Sequence, residues 1–195
     1  MEKLYKVLDK NGHSCHGGNM QWSLPTKNDD GTWTPGEWMP EIKGEIIPCE
    51  NGYHLCREKD LTQWLRDTVW IAEVDGEIVE ADDKVVCRRV RLISGTAWNE
   101  RNARLFACDC AEHVLHLYEH AYPGDDRPRL AIETARAYAN GKATEDELSA
   151  ARDAARAAAM AAAMAAAAWA AARVAAWDSA WADQVRHLLK MIEGE

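Results

Sequence analysis

The residues with the clearest chemical potential lie in one short segment, Cys49-Glu-Asn-Gly-Tyr-His-Leu-Cys56. Thiolate and imidazole groups are zinc ligands, so Cys49, His54 and Cys56 could hold a metal ion, with Cys15 and a neighbouring histidine completing the set. Common zinc modules place their cysteines closer together. The favoured interpretation is a turn whose free thiols pack in the core, and no metal or other cofactor is predicted.

A second set of ionisable side chains, Tyr53, His54, Glu73 and Lys84, is distributed over predicted sheet elements. A cleft that held a histidine and a carboxylate could perform general acid–base catalysis. The sequence alone does not place these residues together, and isolated strand residues are more often structural. They are the catalytic candidates, but the sequence favours a protein that is not an enzyme.

A third pattern places His113, His116 and His120 on one helix face, with Asp109 one turn before His113. Two histidines and a carboxylate on one face can bind a metal. The favoured alternative is a solvated polar face, because the flanking sequence supplies no obvious partner to orient the ligands. The chain also has no phosphate-binding glycine loop, nucleophile elbow, HExxH motif or paired CxxC motif.

The overall charge limits the classes of partner. The chain has 23 basic and 32 acidic side chains, which gives a formal net charge of −9. Phosphate backbones repel such a chain, so direct nucleic-acid binding is not expected. A basic protein partner would instead be attracted and steered to the surface.

Tryptophans are the predicted binding residues. Trp22, Trp33 and Trp38 lie in the irregular stretch from His13 to Pro40. That stretch is expected to be packed, because disordered segments lack aromatic residues. Trp169 lies on the last predicted helix, on the side opposite its main apolar stripe.

Residues 1–97 predict a small α+β domain with a mostly antiparallel sheet and one short helix. Alternating apolar residues and turn signals place the strands at Leu4–Leu8, Ile42–Pro48, Val69–Val74, Glu77–Glu80 and Lys84–Ile93, and the helix at Arg57–Arg66. The Asp75-Gly76 pair is the strongest hairpin signal in the chain and predicts a turn between Val74 and Glu77.

Residues 98–195 predict an alanine-rich helical bundle. Asn99 can cap its first helix, and Pro128 fits the first turn of its second. Thr144 and Glu147 form a capping box, in which each side chain satisfies an unpaired amide of the other's backbone.

The final helix is unusual, because 19 of the 27 residues from Ala150 to Ala176 are alanine. Its larger side chains, including Met160, Leu188 and Ile192, fall in one stripe and predict a core face. An unbroken helix over residues 144–193 would overhang a compact chain of this size. A break near Asp178-Ser179 is therefore favoured, and packing of the overhang against a second copy is the alternative.

The same sequence predicts a cytoplasmic protein. The N-terminal residues MEKLYKVLDKNG contain no apolar run of signal-peptide length, and the alanine run from Ala157 to Ala172 is too short and too weakly apolar to span a membrane. Six cysteines do not form a dense secreted framework, so reduced thiols are expected.

Two parts of the chain resemble known families. Leu105–Leu115 and Gly124–Gly141, followed by the alanine-rich helix, resemble a helical family of putative immunity proteins, and the run Asp125-Asp-Arg-Pro-Arg129 is the most specific part. This resemblance implies that the protein binds and neutralises a partner. The N-terminal half, through its Cys49-to-Cys56 segment, is similar to an uncharacterised domain common in bacteriophage proteins.

These observations predict a non-enzymatic interaction protein, phage or bacterial, that acts in immunity or counter-defence by binding a protein partner. One alternative is an NAD-binding enzyme, since the order of the Tyr53-His54 turn and Glu73 is similar to that in ADP-ribosyltransferase-like sheets. The other is a nucleotide-sequestering protein, in which Arg88, Arg89 and Arg91 would have to gather near the tryptophan-rich loop.

Overall fold

The structure, a computed structural model, describes residues 2–165 and 174–194. It confirms the α+β class, with an antiparallel sheet and a short helix followed by longer helices. The chain divides into two compact units, the first formed by Met1–Asn99 with Leu188–Glu195 and the second by Glu100–His187. The last eight residues therefore belong with the sheet-containing unit.

Six strands and a short helix form the first unit. The strands are β1 Leu4–Leu8, β2 Thr26–Lys27, β3 Trp33–Thr34, β4 Tyr53–Arg57, β5 Thr68–Glu80 and β6 Val85–Gly95; a 3-10 turn at Glu58–Asp60 leads into α1, Leu61–Trp64. Four of the strands close into a barrel in the order β1-β4-β6-β5, because β1 pairs with both β4 and β5. Closure leaves neither end of this sheet as an open edge.

The predicted hairpin at Asp75-Gly76 is wrong, because both residues lie inside the continuous strand β5. The register with β6 shifts between Asp75 and Ile78, and Gly76 has φ +90°. A glycine in the left-handed region suits a β-bulge, where the chain adds a residue and twists without turning back. The reversal comes later, where the amide of Ala81 donates to the carbonyl of Lys84.

The predicted strand Ile42–Pro48 is also wrong, although its first residue does lie against the barrel. The amides of Gly36, Met39 and Ile42 donate hydrogen bonds to carbonyls of β6. The spacing of three residues between these amides is the repeat of polyproline II. Pro40, which lies between Gly36 and Ile42, has no amide hydrogen to donate to a β ladder. The segment therefore packs on the barrel as an extended strap.

One apolar core fills the barrel. Its buried members are Leu8, Trp22, Met39, Tyr53, Leu55, Val85, Cys87, Val90 and Leu92. Trp22 and Met39 come from the long segment before β4, so that segment is packed as the sequence predicted.

Helices form the second unit, and their predicted boundaries are close to those observed. They are α2 Glu100–Ala121, α3 Arg127–Ala139, α4 Glu145–Ala165 and α5 Val174–Glu193. Pro128 lies in the first turn of α3. The capping box is confirmed, since the amide of Thr144 donates to Glu147 and the amide of Glu147 donates to the Thr144 hydroxyl.

The break predicted near Asp178-Ser179 is wrong, because α5 is helical through both residues. Whether α4 and α5 are joined falls on residues 166–173, outside the described range, and so does Trp169. Met160 of the predicted apolar stripe is 61% exposed, whereas Leu188 and Ile192 are buried. None of the helices within the described ranges has the length and apolar character needed to cross a bilayer.

Candidate functional site

A cavity of about 460 Å³ opens on the first unit and contains most of the chemistry that the sequence predicted. Pockets of about 300–1,000 Å³ commonly hold small ligands. The strands β1 and β4, the helix α1, and the segments that precede β2, β4 and β6 line this cavity. The side chains that matter here are Lys6, Cys15, His16, Trp22, Cys49, Tyr53, His54, Cys56, Trp64 and Lys84.

Lys6 contributes an ammonium to this cavity from the core side of the barrel. Side chains alternate along a strand, so Lys6 shares a face of β1 with Leu4, which packs on the core, and Leu8, which is part of it. The Lys6 Nζ donates to the carbonyl of His54 at 3.0 Å and lies 4.7 Å from the ring centre of Trp22. Burial of the charged form lowers the pKa of Lys6.

Trp22 is held rigidly in the cavity wall. Its indole Nε1 donates to the hydroxyl of Ser14 at 2.9 Å, and its ring meets the Tyr53 ring edge-on at 5.6 Å between centres. The Tyr53 hydroxyl in turn donates to the carbonyl of Pro40 at 2.8 Å. These contacts fix both aromatic rings before any ligand arrives.

The imidazole of His54 fixes the turn that precedes β4. Its Nε2 accepts the amide hydrogen of Cys49 at 2.8 Å, so in this arrangement the ring is neutral at that nitrogen. Burial, together with the positive charges of Lys6 and Lys84, lowers the pKa of His54. A lone pair that already accepts an amide hydrogen is not free to remove a proton from a substrate.

Lys84 supplies a second cationic group to the cavity. Its Nζ lies 3.1 Å from a carboxylate oxygen of Asp83 and 4.7 Å from the ring centre of Trp64. Trp64 is itself anchored, because its indole donates to the carbonyl of Asp83 and its own carbonyl bonds the Nε2 of His16. The tryptophan and the lysine thus form one ordered wall.

A buried ion pair holds this wall against the end of β4. Arg57 Nε bonds Asp60 at 2.7 Å, and its guanidinium also donates to the carbonyls of Ala81 and Asp82. Both members of the pair are more than nine-tenths buried. The turn that leads to Lys84 is therefore tied to the strand that carries His54. Nothing in the sequence pattern indicated this network.

The thiols of the predicted metal alternative lie around the same cavity but do not form a ligand set. Cys49 is exposed, whereas Cys56 is buried and burial raises its pKa to about 12. Burial also raises the pKa of Cys15. Among the described residues, no three His, Cys, Asp or Glu side chains are grouped closely enough to hold a metal ion.

The cavity brings Tyr53, His54 and Trp22 together but does not include Glu73. The carboxylate of Glu73 accepts a hydrogen bond from Arg91 at 2.6 Å. The guanidinium groups of Arg89 and Arg91 lie over the ring of Trp38, with their Cζ atoms 4.8 Å and 4.7 Å from the ring centre.

Nor does the cavity include Trp33 or the arginines of β6. Trp33 meets Trp70 edge-on at 6.3 Å. Arg89 and Arg91 do gather at Trp38, as the nucleotide-sequestering alternative requires. Each of the three arginines is nevertheless paired with a carboxylate, that of Glu77, Asp75 or Glu73.

In the second unit, Asp109 joins three helices. Its carboxylate lies 2.5 Å from His187 Nε2 and 2.6 Å from an Arg136 nitrogen. Asp109, His113 and His187 line one small cleft. His116 and His120 do not line it and are exposed. The sequence singled out Asp109 but could not identify His187 or Arg136, since they lie far along the chain.

The helices α2, α3 and α4 also border an apolar groove of about 660 Å³. Alanine is the most frequent residue in its walls, and Val114, Leu115, Tyr118 and Ile132 are the larger apolar side chains. Val114 is 44% exposed, and Leu117, three residues further along α2, is 59% exposed. Residues three apart lie side by side on a helix, so these two form one exposed apolar patch, of which Val114 lines the groove.

The C-terminal part of the chain is similar to a known family. The family model described as Imm-5 like putative immunity protein matches residues 97–193. That range contains the whole second unit and all of α5, and it confirms the resemblance predicted for this half. No curated protein and no solved structure gives a significant match to the chain.

Proposed function

We propose that this protein is a non-enzymatic immunity-type factor of phage or bacteria that binds and neutralises a protein partner in the cytoplasm. The observation that carries the proposal is the family match over residues 97–193. Because that match contains the helical unit, the helical unit is the part assigned to recognition. The first unit, for which a resemblance to a phage domain is predicted from the sequence alone, accompanies it.

The patch formed by Val114 and Leu117 is the proposed contact surface for that partner. Single exposed aliphatic residues are common, but two adjacent ones at the border of an apolar groove favour a binding surface. Alanine is the most frequent residue in the groove walls, and its small side chain leaves room for larger side chains of a partner. A net charge of −9 favours a partner with a basic surface, which it would attract over a distance.

The arrangement of the catalytic candidates supports a binding role. Glu73 forms an ion pair and is absent from the cavity lining, and the Nε2 of His54 accepts a backbone amide hydrogen. An acid–base mechanism would need both groups free and directed at one substrate.

The test compares three forms of the full chain as bait in bacterial lysates: wild type, Leu117→Glu and Met160→Glu. Met160 is 61% exposed on α4, so it is a matched control for adding a charge to the helical unit. Wild type and Met160→Glu should retain the same protein, and Leu117→Glu should retain at least tenfold less of it. The captured protein should be toxic when it is expressed alone in bacteria, and it should lose this toxicity when it is co-expressed with wild type.

Equal retention by all three forms would overturn the proposed surface. A partner whose toxicity is unchanged by co-expression would overturn the immunity role, even if the two proteins bind. Circular dichroism of each variant confirms that a loss of binding does not reflect unfolding.

A further inference from the structure

The cavity of the first unit is not used by the proposed partner binding, yet it contains a lysine in an unusual position. Lys6 lies on the core side of β1, where an apolar residue would be the ordinary choice. Buried charges are normally paired with an opposite charge. No carboxylate within the described residues pairs with its Nζ, which has one hydrogen-bond acceptor, the carbonyl of His54.

This leaves the Lys6 ammonium with unused donors at the cavity. An ammonium has three N–H donors, and the carbonyl of His54 takes one. The face of Trp22 stabilises the positive charge but accepts no conventional hydrogen bond. The remaining donors of Lys6 are positioned for the oxygen atoms of a ligand.

Lys84 adds a second positive charge to the lining of the same cavity. Its side chain is only 15% exposed, and its Nζ is paired with the carboxylate of Asp83, whose side chain is 35% exposed. Asp83 is absent from the cavity lining. The lining therefore has two ammonium groups and no carboxylate among the described residues.

The other walls are aromatic or apolar and are fixed in place. Trp22 is held by Ser14, and Trp64 by the carbonyl of Asp83. Met20 and Ile42 add aliphatic surface. A cavity with two cations and rigid indole walls is complementary to a ligand that is anionic at one end and flat and apolar at the other.

We propose that this cavity binds a small molecule in which an anionic group is attached to a planar ring, with Lys6 and Lys84 holding the anion and the walls of Trp22 and Trp64 enclosing the ring. The site needs none of the residues of the Val114–Leu117 patch, so it stands or falls independently of partner binding. It also differs from a site built on Arg88, Arg89 and Arg91, none of which lines this cavity.

The probe experiment uses the full chain and the indole N–H resonances of its tryptophans in ¹H–¹⁵N NMR spectra. The ring-bearing anions are AMP, GMP, indole-3-acetate and benzoate; adenosine supplies a ring without an anion, and inorganic phosphate an anion without a ring. At least one ring-bearing anion should shift the Trp22 and Trp64 resonances in a saturable manner, and the Trp38 resonance should not move. Adenosine and phosphate should bind at least tenfold more weakly.

Three variants assign the binding to the two lysines. Lys6→Met and Lys84→Met should each weaken the best probe at least tenfold, because each removes a charge but keeps an unbranched side chain only one atom shorter. Lys10→Met is the matched control, since Lys10 is exposed and outside the cavity. Unchanged chemical shifts elsewhere in each variant confirm that the barrel remains folded.

The proposal fails if no ring-bearing anion shifts Trp22 or Trp64 at millimolar concentration. It also fails if phosphate binds as well as the ring-bearing anions, or if Lys6→Met and Lys84→Met bind the probe as wild type does. None of these results would affect the comparison of Leu117→Glu with Met160→Glu, which tests the other unit.

Discussion

The amide nitrogen of Cys49 lies 2.8 Å from Nε2 of His54 and donates its hydrogen to it. Cys49 has φ +68°, a left-handed conformation that non-glycine residues seldom adopt. The histidine therefore closes and stabilises a turn that would otherwise be strained. This bond accounts for the pairing of Cys49 and His54 in the sequence without a metal ion or a catalytic step.

The bond between His54 and Cys49 predicts a loss of stability in mild acid. The pKa of His54 is lowered in the folded chain, whereas an unfolded histidine titrates near about 6.5. Below that pH the unfolded state binds more protons than the folded state, so the free energy of unfolding falls by up to about 1.4 kcal/mol per pH unit until the folded pKa is reached. Protonation at Nε2 also breaks the hydrogen bond.

Urea unfolding at pH 7 and pH 5, followed by tryptophan fluorescence, measures this effect. The variant His54→Gln removes the titrating group, so its stability should change less between the two pH values than that of wild type. His120→Gln, at an exposed position, is the control and should behave as wild type. Identical pH dependence in all three proteins would contradict the assignment.

The buried pair of Arg57 and Asp60 predicts a large effect of one substitution. Asp60→Ala leaves the buried Arg57 guanidinium with the carboxylate of Glu80, a largely exposed side chain at 3.4 Å, as its remaining ion-pair partner among the described residues. Removing one member of a buried pair commonly costs about 3–5 kcal/mol, because the remaining charge stays out of water. Thermal and urea unfolding measure the loss.

The matched control for Asp60→Ala is Glu41→Gln, which removes one member of the exposed pair between Lys43 and Glu41. An exposed pair contributes at most about 1 kcal/mol, so the control should stay near wild type. If Asp60→Ala proved as mild as Glu41→Gln, the Arg57 network would not be what ties β4 to the turn before β6.

The burial of Lys6 predicts that its removal stabilises the protein. Its ammonium is desolvated and has no carboxylate partner among the described residues, so Lys6→Met should raise the free energy of unfolding at pH 7 by about 0.5–2 kcal/mol. A gain in stability on removing a residue is the pattern expected of one retained for ligand binding.

The pH dependence of this gain has a defined sign. The pKa of Lys6 is lowered in the folded chain, while an unfolded lysine titrates near about 10.4. Between those values the unfolded state binds more protons, so wild-type stability rises with pH and the advantage of Lys6→Met shrinks. Denaturant unfolding at pH 7 and pH 10 checks the trend. A destabilised Lys6→Met protein at pH 7 would instead mark Lys6 as structural.

The cysteines predict an order of alkylation. Cys49 is exposed, whereas burial raises the pKa of Cys56 and of Cys87 to about 12. Only the thiolate reacts, so at pH 8 iodoacetamide should label Cys49 first and should reach Cys56 and Cys87 only after unfolding. Peptide mass spectrometry over time measures each rate. Equal rates for Cys49 and Cys87 would show that the barrel core is open to solvent.

Local rules explain most of what the sequence predicted correctly. The strand Leu4–Leu8 alternates, Asn99 and Pro128 mark helix starts, and the box of Thr144 and Glu147 needs only residues three apart. Such signals depend on neighbours along the chain, so one sequence is enough to read them. The α+β class follows from their sum.

Other features depended on partners that are distant in the sequence. Asp75-Gly76 has the composition of a turn, but pairing with β6 on both sides of it favours a bulge inside one strand. The chain from Gly36 to Ile42 forms a strap on the barrel, because Pro40 has no amide hydrogen and the amides of Gly36, Met39 and Ile42 donate to β6 carbonyls. The strand predicted from Ile42 onward does not form. Closure of the barrel likewise required β1 to reach both β4 and β5.

By itself the sequence determined the residue types around the candidate site, and it singled out Tyr53, His54, Lys84 and Trp22 from their composition and setting. Only the tertiary structure decided that Lys6 joins them while Glu73 does not, because a side chain's neighbours depend on strand register and on which face of the barrel it occupies. Those two conditions are set by long-range packing, which no window of neighbouring residues contains.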